Sequence, residues 1–416
     1  MPARRLVARW VIPVEGRPIE RGAVLIGADG RVIAVGPDDV VPRPGNSAAE
    51  TYERGLLLPG LINTHTHLEL TDLQGEPPEP DFAAWIRGVR QRKASRAPES
   101  ILAAARAGLS ASHASGVTTI ADTGDSGSVI RALAEAGGSG VAYQEVFGPH
   151  PEQLGESLTG LQRQVESLGA FATGRVRIGV SPHAPYTVSG PLYGAVAGWA
   201  RLEGLPLATH IAESRAESQL LATGEGAFAE AWRGRGIPNP VPLGCTPVEW
   251  LERHGVLSER TLCIHVVQAG ADDLDRLARA GAAIAHCPLS NQSHGHGAAP
   301  LAGFLHRGLR VGLGTDSVLS VGTPDLLAEA RAARALAGLD APSALALCTL
   351  EAARALGLDS ETGSLREGKW GDCVVLRPPD GGAALPPEEQ VLASGPADVL
   401  ATYVGGRDVY RAGGPV

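Results

Sequence analysis

His65-Thr66-His67 offers two imidazoles separated by one residue. On an extended strand, positions i and i+2 face the same side, so both rings point into one space. Neutral imidazole suits zinc or ferrous iron, and a carboxylate can complete the shell. Such a pair arises easily by chance, but His210, and Asp316 in Gly314-Thr315-Asp316-Ser317, supply further donors. Three histidines and one carboxylate leave a coordination position for water, the mark of a catalytic rather than structural ion. Glu213, in His210-Ile211-Ala212-Glu213, stands too close to His210 to be a convincing fourth ligand on one strand. It is placed to turn over the open position and shuttle a proton. Such an ion lowers the pKa of its water to about 7, and a neighbouring carboxylate can collect the proton and redeliver it. A carboxylate here also suits the start of a following helix, and the two roles are compatible.

These donors act together only if the fold gathers them. Eight short β-rich runs lie at 57–67, 117–122, 141–147, 175–181, 206–210, 261–265, 282–286 and 310–316. Segments of helical period alternate with them, among them 100–114, 271–280 and 324–337. That alternation predicts βα units and a parallel sheet. Eight units in about 300 residues predict an α/β fold, a (β/α)8 TIM barrel, with its active site at the C-terminal ends of the strands. The polar residues fall at those ends: His65 and His67 first, then Asp122, His183, His210, His265, His286 and Asp316. A lone histidine is most often a core residue, but a series recurring strand after strand reads as a site. His265 could be a second-metal ligand or a hydrogen-bonding group near the leaving group. Bridged two-metal barrels need a carboxylated lysine at the end of the fourth strand. Here that place reads Gly179-Val180-Ser181-Pro182-His183, and neither lysine, Lys93 or Lys369, is near it in sequence. One divalent ion is expected, zinc foremost and iron the alternative.

Residues 1–58 and 360–416 alternate with period 2, with turns such as Gly27-Ala28-Asp29-Gly30 and a Pro/Gly-rich interruption at 378–387. They predict a small composite β-sandwich domain made from both chain ends, beside a catalytic barrel over 59–359. The 416 residues include 36 basic and 45 acidic side chains, a net charge of −9, so no basic face for nucleic acid is expected. No uninterrupted apolar stretch reaches the roughly 18 residues of a membrane span. The first residues alternate like a strand and lack the apolar centre of a secretory signal. Five scattered cysteines, Cys245, Cys263, Cys287, Cys348 and Cys373, predict reduced thiols in the cytoplasm.

On these residues the chain resembles the amidohydrolase superfamily, in its branch of mononuclear aminohydrolases and chlorohydrolases. The resemblance rests on Leu58-Pro59-Gly60-Leu61-Ile62-Asn63-Thr64-His65-Thr66-His67, Ser181-Pro182-His183-Ala184-Pro185-Tyr186-Thr187 and His210-Ile211-Ala212-Glu213. It continues through His286-Cys287-Pro288-Leu289-Ser290-Asn291 and Gly314-Thr315-Asp316-Ser317. It implies metal ligation by His65, His67, His210 and Asp316, and proton movement by Glu213, His265 and Asp316. It also implies that His183 touches the ring or sugar of a small purine nucleoside, with Ser290, Asn291 and Ser317 on the substrate side. Glu69 in His67-Leu68-Glu69-Leu70-Thr71, Trp85 in Phe82-Ala83-Ala84-Trp85-Ile86, and the loop His294-Gly295-His296-Gly297 look most like the aminodeoxyfutalosine deaminases of menaquinone biosynthesis. The implied reaction is hydrolytic deamination: water adds to C6 of an adenine ring, Glu213 protonates N1, and ammonia leaves. A benzoate-like carboxylate on the substrate would call for a guanidinium, and Arg87 and Arg90 are the candidates. The reading admits a homodimer. Competing readings are another purine-nucleoside or guanine aminohydrolase, an s-triazine-type chlorohydrolase, and an inactive scaffolding barrel. The last is disfavoured because no ligand is absent from the motifs.

Overall fold

Alternating strands at the two chain ends pair with one another around the central run. In the computed structural model, which describes residues 2–45, 48–73, 75, 81–379, 381 and 384–413, the first are β1 (Arg4–Val11), β2 (Ile19–Ile26), β3 (Val32–Pro37) and β4 (Ala48–Pro59). The central run contributes β5 (Leu61–Thr66), β6 (Val117–Gly124), β7 (Gly140–Val146), β8 (Val176–Pro182), β9 (Leu207–Ile211), β10 (Thr261–His265), β11 (Ala283–His286) and β12 (Arg310–Leu313). The far end adds β13 (Cys373–Leu376), β14 (Val399–Val404) and β15 (Arg407–Arg411). Part of the interruption expected at 378–387 lies outside the described residues.

The eight central strands lie side by side in chain order, each neighbouring pair parallel. Thr66 bridges Asp316, and Asp316 N donates to His65 O at 3.0 Å, which brings the last strand back to the first. This is the expected (β/α)8 barrel, including the second and third strands, for which spacing is the main sequence signal. Strands covered by helices outside and side chains inside are apolar on both faces. Leu61, Ile120, Val180, Ile264 and Val311 are accordingly buried. Closure depends on Gly314, where a Cβ would lie 2.8 Å from the His65 backbone nitrogen.

The first run, expected as one strand over 57–67, is two strands. Leu57 and Leu58 belong to β4 and pair with Val375 and Val374 of β13, whereas Leu61 opens the barrel. The chain crosses from one sheet to the other at Gly60. A Cβ there would lie 2.1 Å from Thr118 Oγ1, so the crossing demands glycine.

The terminal strands make one sheet of seven, ordered β15-β14-β13-β4-β1-β2-β3. An ion pair between Arg175 and Asp372 fastens it to the barrel, as does the bond from Thr402 Oγ1 to His113 O at 2.8 Å. The expected helices are present as Pro98–Ala114, Ala271–Ala280 and Leu326–Ala337. A further helix, Phe82–Ala94, starts at Asp81, which accepts from Ala83 N, and packs Phe82 and Trp85 into a cluster with Tyr186 and Phe228. Among the described residues no helix is long and apolar enough to cross a membrane.

Candidate active site

The two rings at the end of β5 lie with centroids 4.8 Å apart, and the His210 ring, from β9, lies 4.9 Å from that of His65. Asp316 Oδ1, just beyond β12, is 3.4 Å from His65 Nε2 and 3.5 Å from His67 Nε2. Donor atoms of His65, His67 and Asp316 fall within 4.8 Å of one another, as do those of His65, His210 and His265. Hydrogen bonds determine which nitrogens remain available. His67 Nδ1 lies 2.8 Å from Thr123 O and His210 Nδ1 lies 3.2 Å from His183 O. A carbonyl only accepts, so each Nδ1 carries the proton and each Nε2 keeps its lone pair. Neither nitrogen of the buried His65 has a hydrogen-bond partner among the described residues.

Burial pushes all three imidazoles toward the neutral form that ligates a cation. Burial opposes ionisation of Asp316, but the histidines beside it, His65 first, hold its carboxyl well below the usual range. Imidazole lone pairs, one anionic oxygen and an orphaned buried ring together fit a divalent cation that His65, His67, His210 and Asp316 could hold.

Glu213 follows β9 and is buried, with Oε1 3.6 Å from His265 Nε2 and 3.3 Å from His296 Nε2. Burial favours its neutral form, but His265 and His296 outweigh burial and bring its pKa down to about 2. Its backbone is held by Glu217, whose carboxylate accepts from Ala212 N at 2.8 Å and from Glu213 N at 2.9 Å. Ala212 (φ 50°), His265 (72°), Val266 (50°) and Asp316 (58°) all adopt left-handed backbone. Non-glycine residues are rarely held there, and such strain gathers at functional sites. Sequence reasoning passed over Glu217. Its signal was the Ser214-x-x-Glu217 spacing of a helix cap, and Glu217 N does donate to Ser214 Oγ at 3.3 Å.

Several residues expected on the substrate side face elsewhere. Ser290 Oγ donates to Asp316 Oδ2 at 2.5 Å, and Asn291 Oδ1 accepts from His265 Nδ1 at 2.9 Å. Both are buried at the start of the short helix Pro288–Ser293, which turns them toward other site residues instead of the cavity. Glu69 is buried behind the wall, bound to Lys93 and Ser126. His294 Nε2 lies 2.9 Å from Ser320 Oγ, its ring 4.4 Å from Trp85, and His296 rests against Glu213. His286 turns from the main cavity to a smaller one of about 470 Å³, and Asp122 accepts from Leu68 N at 2.7 Å.

His183, Trp85, Arg87, Arg90 and Ser317 do line the main cavity, about 820 Å³, together with His67, His210, Glu213, His265 and Asp316. His183 Nδ1 lies 2.8 Å from Thr187 Oγ1, and burial lowers its pKa to about 3. Arg87 and Arg90 are exposed on the helix Phe82–Ala94 and have no ion pair among the described residues. The same wall holds residues that sequence spacing did not suggest. Lys93 enters from that helix and pairs with Glu69 and Asp125. Burial works against its ammonium form, but the two carboxylates outweigh burial and raise its pKa. Distance along the chain thus hid a lysine that the fold brings to the site. It is ion-paired rather than available as a bridging ligand. Glu145, at the end of β7, is buried there too, and burial pushes its pKa up to about 8.

The amidohydrolase family matches residues 56–409. A 5-methylthioadenosine/S-adenosylhomocysteine deaminase of Symbiobacterium thermophilum is 30% identical over 429 aligned residues, covering 96% of this chain and 92% of that protein. An aminodeoxyfutalosine deaminase of Deinococcus radiodurans is 34% identical over 335 residues, 77% of each chain. A zinc-bound adenosine deaminase structure from Xanthomonas campestris superposes with a TM-score of 0.83 at 23% identity, over 97% of this chain and 92% of that one. The chain belongs to the amidohydrolase family and is a hydrolytic enzyme acting on carbon–nitrogen bonds.

Proposed function

We propose that the protein is a metal-dependent deaminase of adenine nucleosides that releases ammonia, with 6-amino-6-deoxyfutalosine as its substrate. The observation that carries this is Glu213 standing beside His265 and sharing with His67, His210 and Asp316 a cavity of about 820 Å³, room for a nucleoside bearing a 5′ extension. Relatives named as deaminases of 5-methylthioadenosine, S-adenosylhomocysteine and aminodeoxyfutalosine support the adenine ring. Arg87 and Arg90, at the cavity wall and without an ion pair among the described residues, support a carboxylated extension. His65, His67, His210 and Asp316 would hold the ion, zinc foremost, and five free, buried cysteines suit a reducing cytoplasm.

When bound, a divalent metal supplies a Lewis acid that makes water nucleophilic at neutral pH. Glu213 takes one proton of the attacking water and delivers it to N1 of the ring. His265, its Nδ1 held by Asn291, presents Nε2 to the same centre. Asp316, oriented by Ser290, carries the second proton to the amino group as C6 collapses, and ammonia leaves. His183 and Trp85 line the walls along the ring and sugar.

Ammonia release from adenosine, 5′-methylthioadenosine, S-adenosylhomocysteine and 6-amino-6-deoxyfutalosine tests the reading. Turnover of the last should exceed the others, and Arg87→Ala or Arg90→Ala should raise its KM about tenfold more than that for adenosine. Equal effects on both substrates would contradict the carboxylate contact. No ammonia from any of the four would contradict the reaction.

A further inference from the structure

Glu145 has no part in the steps above. It ends β7 on the wall of the main cavity, 6% exposed, and its Oε1 has no hydrogen-bond partner among the described residues. The Lys93 ammonium stands among three carboxylates, those of Glu69, Asp125 and Glu145. Lys93 is ion-paired with Glu69 and Asp125, and Glu145 has no ion pair among the described residues. A buried carboxyl group short of donors calls for an explanation, and a ligand that brings donors provides one.

The place of Glu145 on the rim decides which donors those are. Glu213, His265 and Asp316 stand at the ends of β9, β10 and β12, whereas Glu145 and His183 stand at β7 and β8. With C6 and N1 of the ring at the first group, the 6-amino group is there too. It is the only N–H donor of an adenine nucleoside whose 5′ extension carries no amine. The donors that remain are the hydroxyl groups of the ribose. On the adenine-nucleoside reading given above, we propose that Glu145 is a specificity-determining residue that accepts hydrogen bonds from the ribose hydroxyls of the substrate.

The rival use of Glu145 is ligation of a second cation, since Glu145, His183 and His210 offer atoms within 4.8 Å of one another. His210 has Nδ1 engaged by His183 O, and its one lone pair, on Nε2, is already required by the ion proposed at His65, His67 and Asp316. A second cation would keep only Glu145 and His183, too few protein donors for a held ion.

The test compares kcat/KM for the best adenine-nucleoside substrate and its 2′,3′-dideoxy form in the native enzyme, Glu145→Ala and Glu145→Gln. Metal content is measured on the same samples. The native enzyme should prefer the ribose form by at least about tenfold, and Glu145→Ala should bring the two within about twofold by raising KM for the ribose form. Glu145→Gln, which keeps the volume and one acceptor oxygen, should retain part of the preference, and it decides the matter should the alanine variant not fold. An active variant that keeps the native preference overturns the proposal. So does loss of a metal equivalent, which would make Glu145 a ligand. A native enzyme that deaminates no adenine nucleoside overturns the reading of the reaction instead.

Discussion

Two buried polar groups show how differently the molecule treats its seam and its mouth. At the seam between barrel and terminal sheet, Asp372 is saturated with donors: Arg175, Thr362 Oγ1 at 3.0 Å and Gly405 N at 2.8 Å. At the mouth, His65 is as deeply buried, and neither ring nitrogen has a hydrogen-bond partner among the described residues. Four of the left-handed non-glycine residues, Ala212, His265, Val266 and Asp316, gather at the rim, while Val14 and Arg21 lie among the terminal strands. Asp372, whose job is structural, finds its partners within the chain. Incomplete bonding of a buried ring persists where a bound group completes it. Changes at the mouth should therefore cost turnover, and changes at the seam should cost stability.

Glu213→Gln carries the largest expected effect. Turnover should fall about 10³-fold while metal content and thermal midpoint stay native, as read by ammonia release, elemental analysis and calorimetry. Native-like turnover would break the proton-transfer role. Asp372→Ala should do the reverse, leaving the Arg175 guanidinium without its partner and costing about 3 kcal/mol in chemical denaturation, with kcat per folded molecule unchanged. A matching loss of kcat would erase the distinction between the regions.

The smallest effect lies at the seam, at His113, where burial, helped by Arg407, lowers the pKa from 6.5 to about 4. Between those values the unfolded chain takes up a proton that the folded chain refuses, so stability falls as pH drops through that window. The slope should be about 1 kcal/mol per pH unit, and His113→Gln should flatten it in denaturation curves at pH 7 and 5.5. An unchanged slope would mean that other groups set the acid response.

The barrel was legible because most of its runs are apolar and close on a polar residue, with spacing supplying the second and third, a pattern needing no knowledge of tertiary contacts. The clustering of His65 and His67 followed from strand period alone. What stayed hidden depends on how helices dock and short loops turn. Lys93 reaches the wall only because Phe82–Ala94 lies against it, and Glu145 reads in sequence as one polar residue in a buried run. Ser290 and Asn291 were recognised as site residues, but only the turn into Pro288–Ser293 shows that they hold Asp316 and His265. The break at Gly60 escaped notice because Leu57 through Thr66 is continuous β sequence, and its reason is the approach of Thr118.

The central claim is that His65, His67, His210 and Asp316 hold one divalent ion. Elemental analysis of protein purified without chelator, beside Asp316→Ala prepared identically, tests it most directly. The account predicts about one equivalent of zinc or iron per native chain and little in the variant. A native enzyme that deaminates while free of metal, or a variant that keeps its full equivalent, would contradict it.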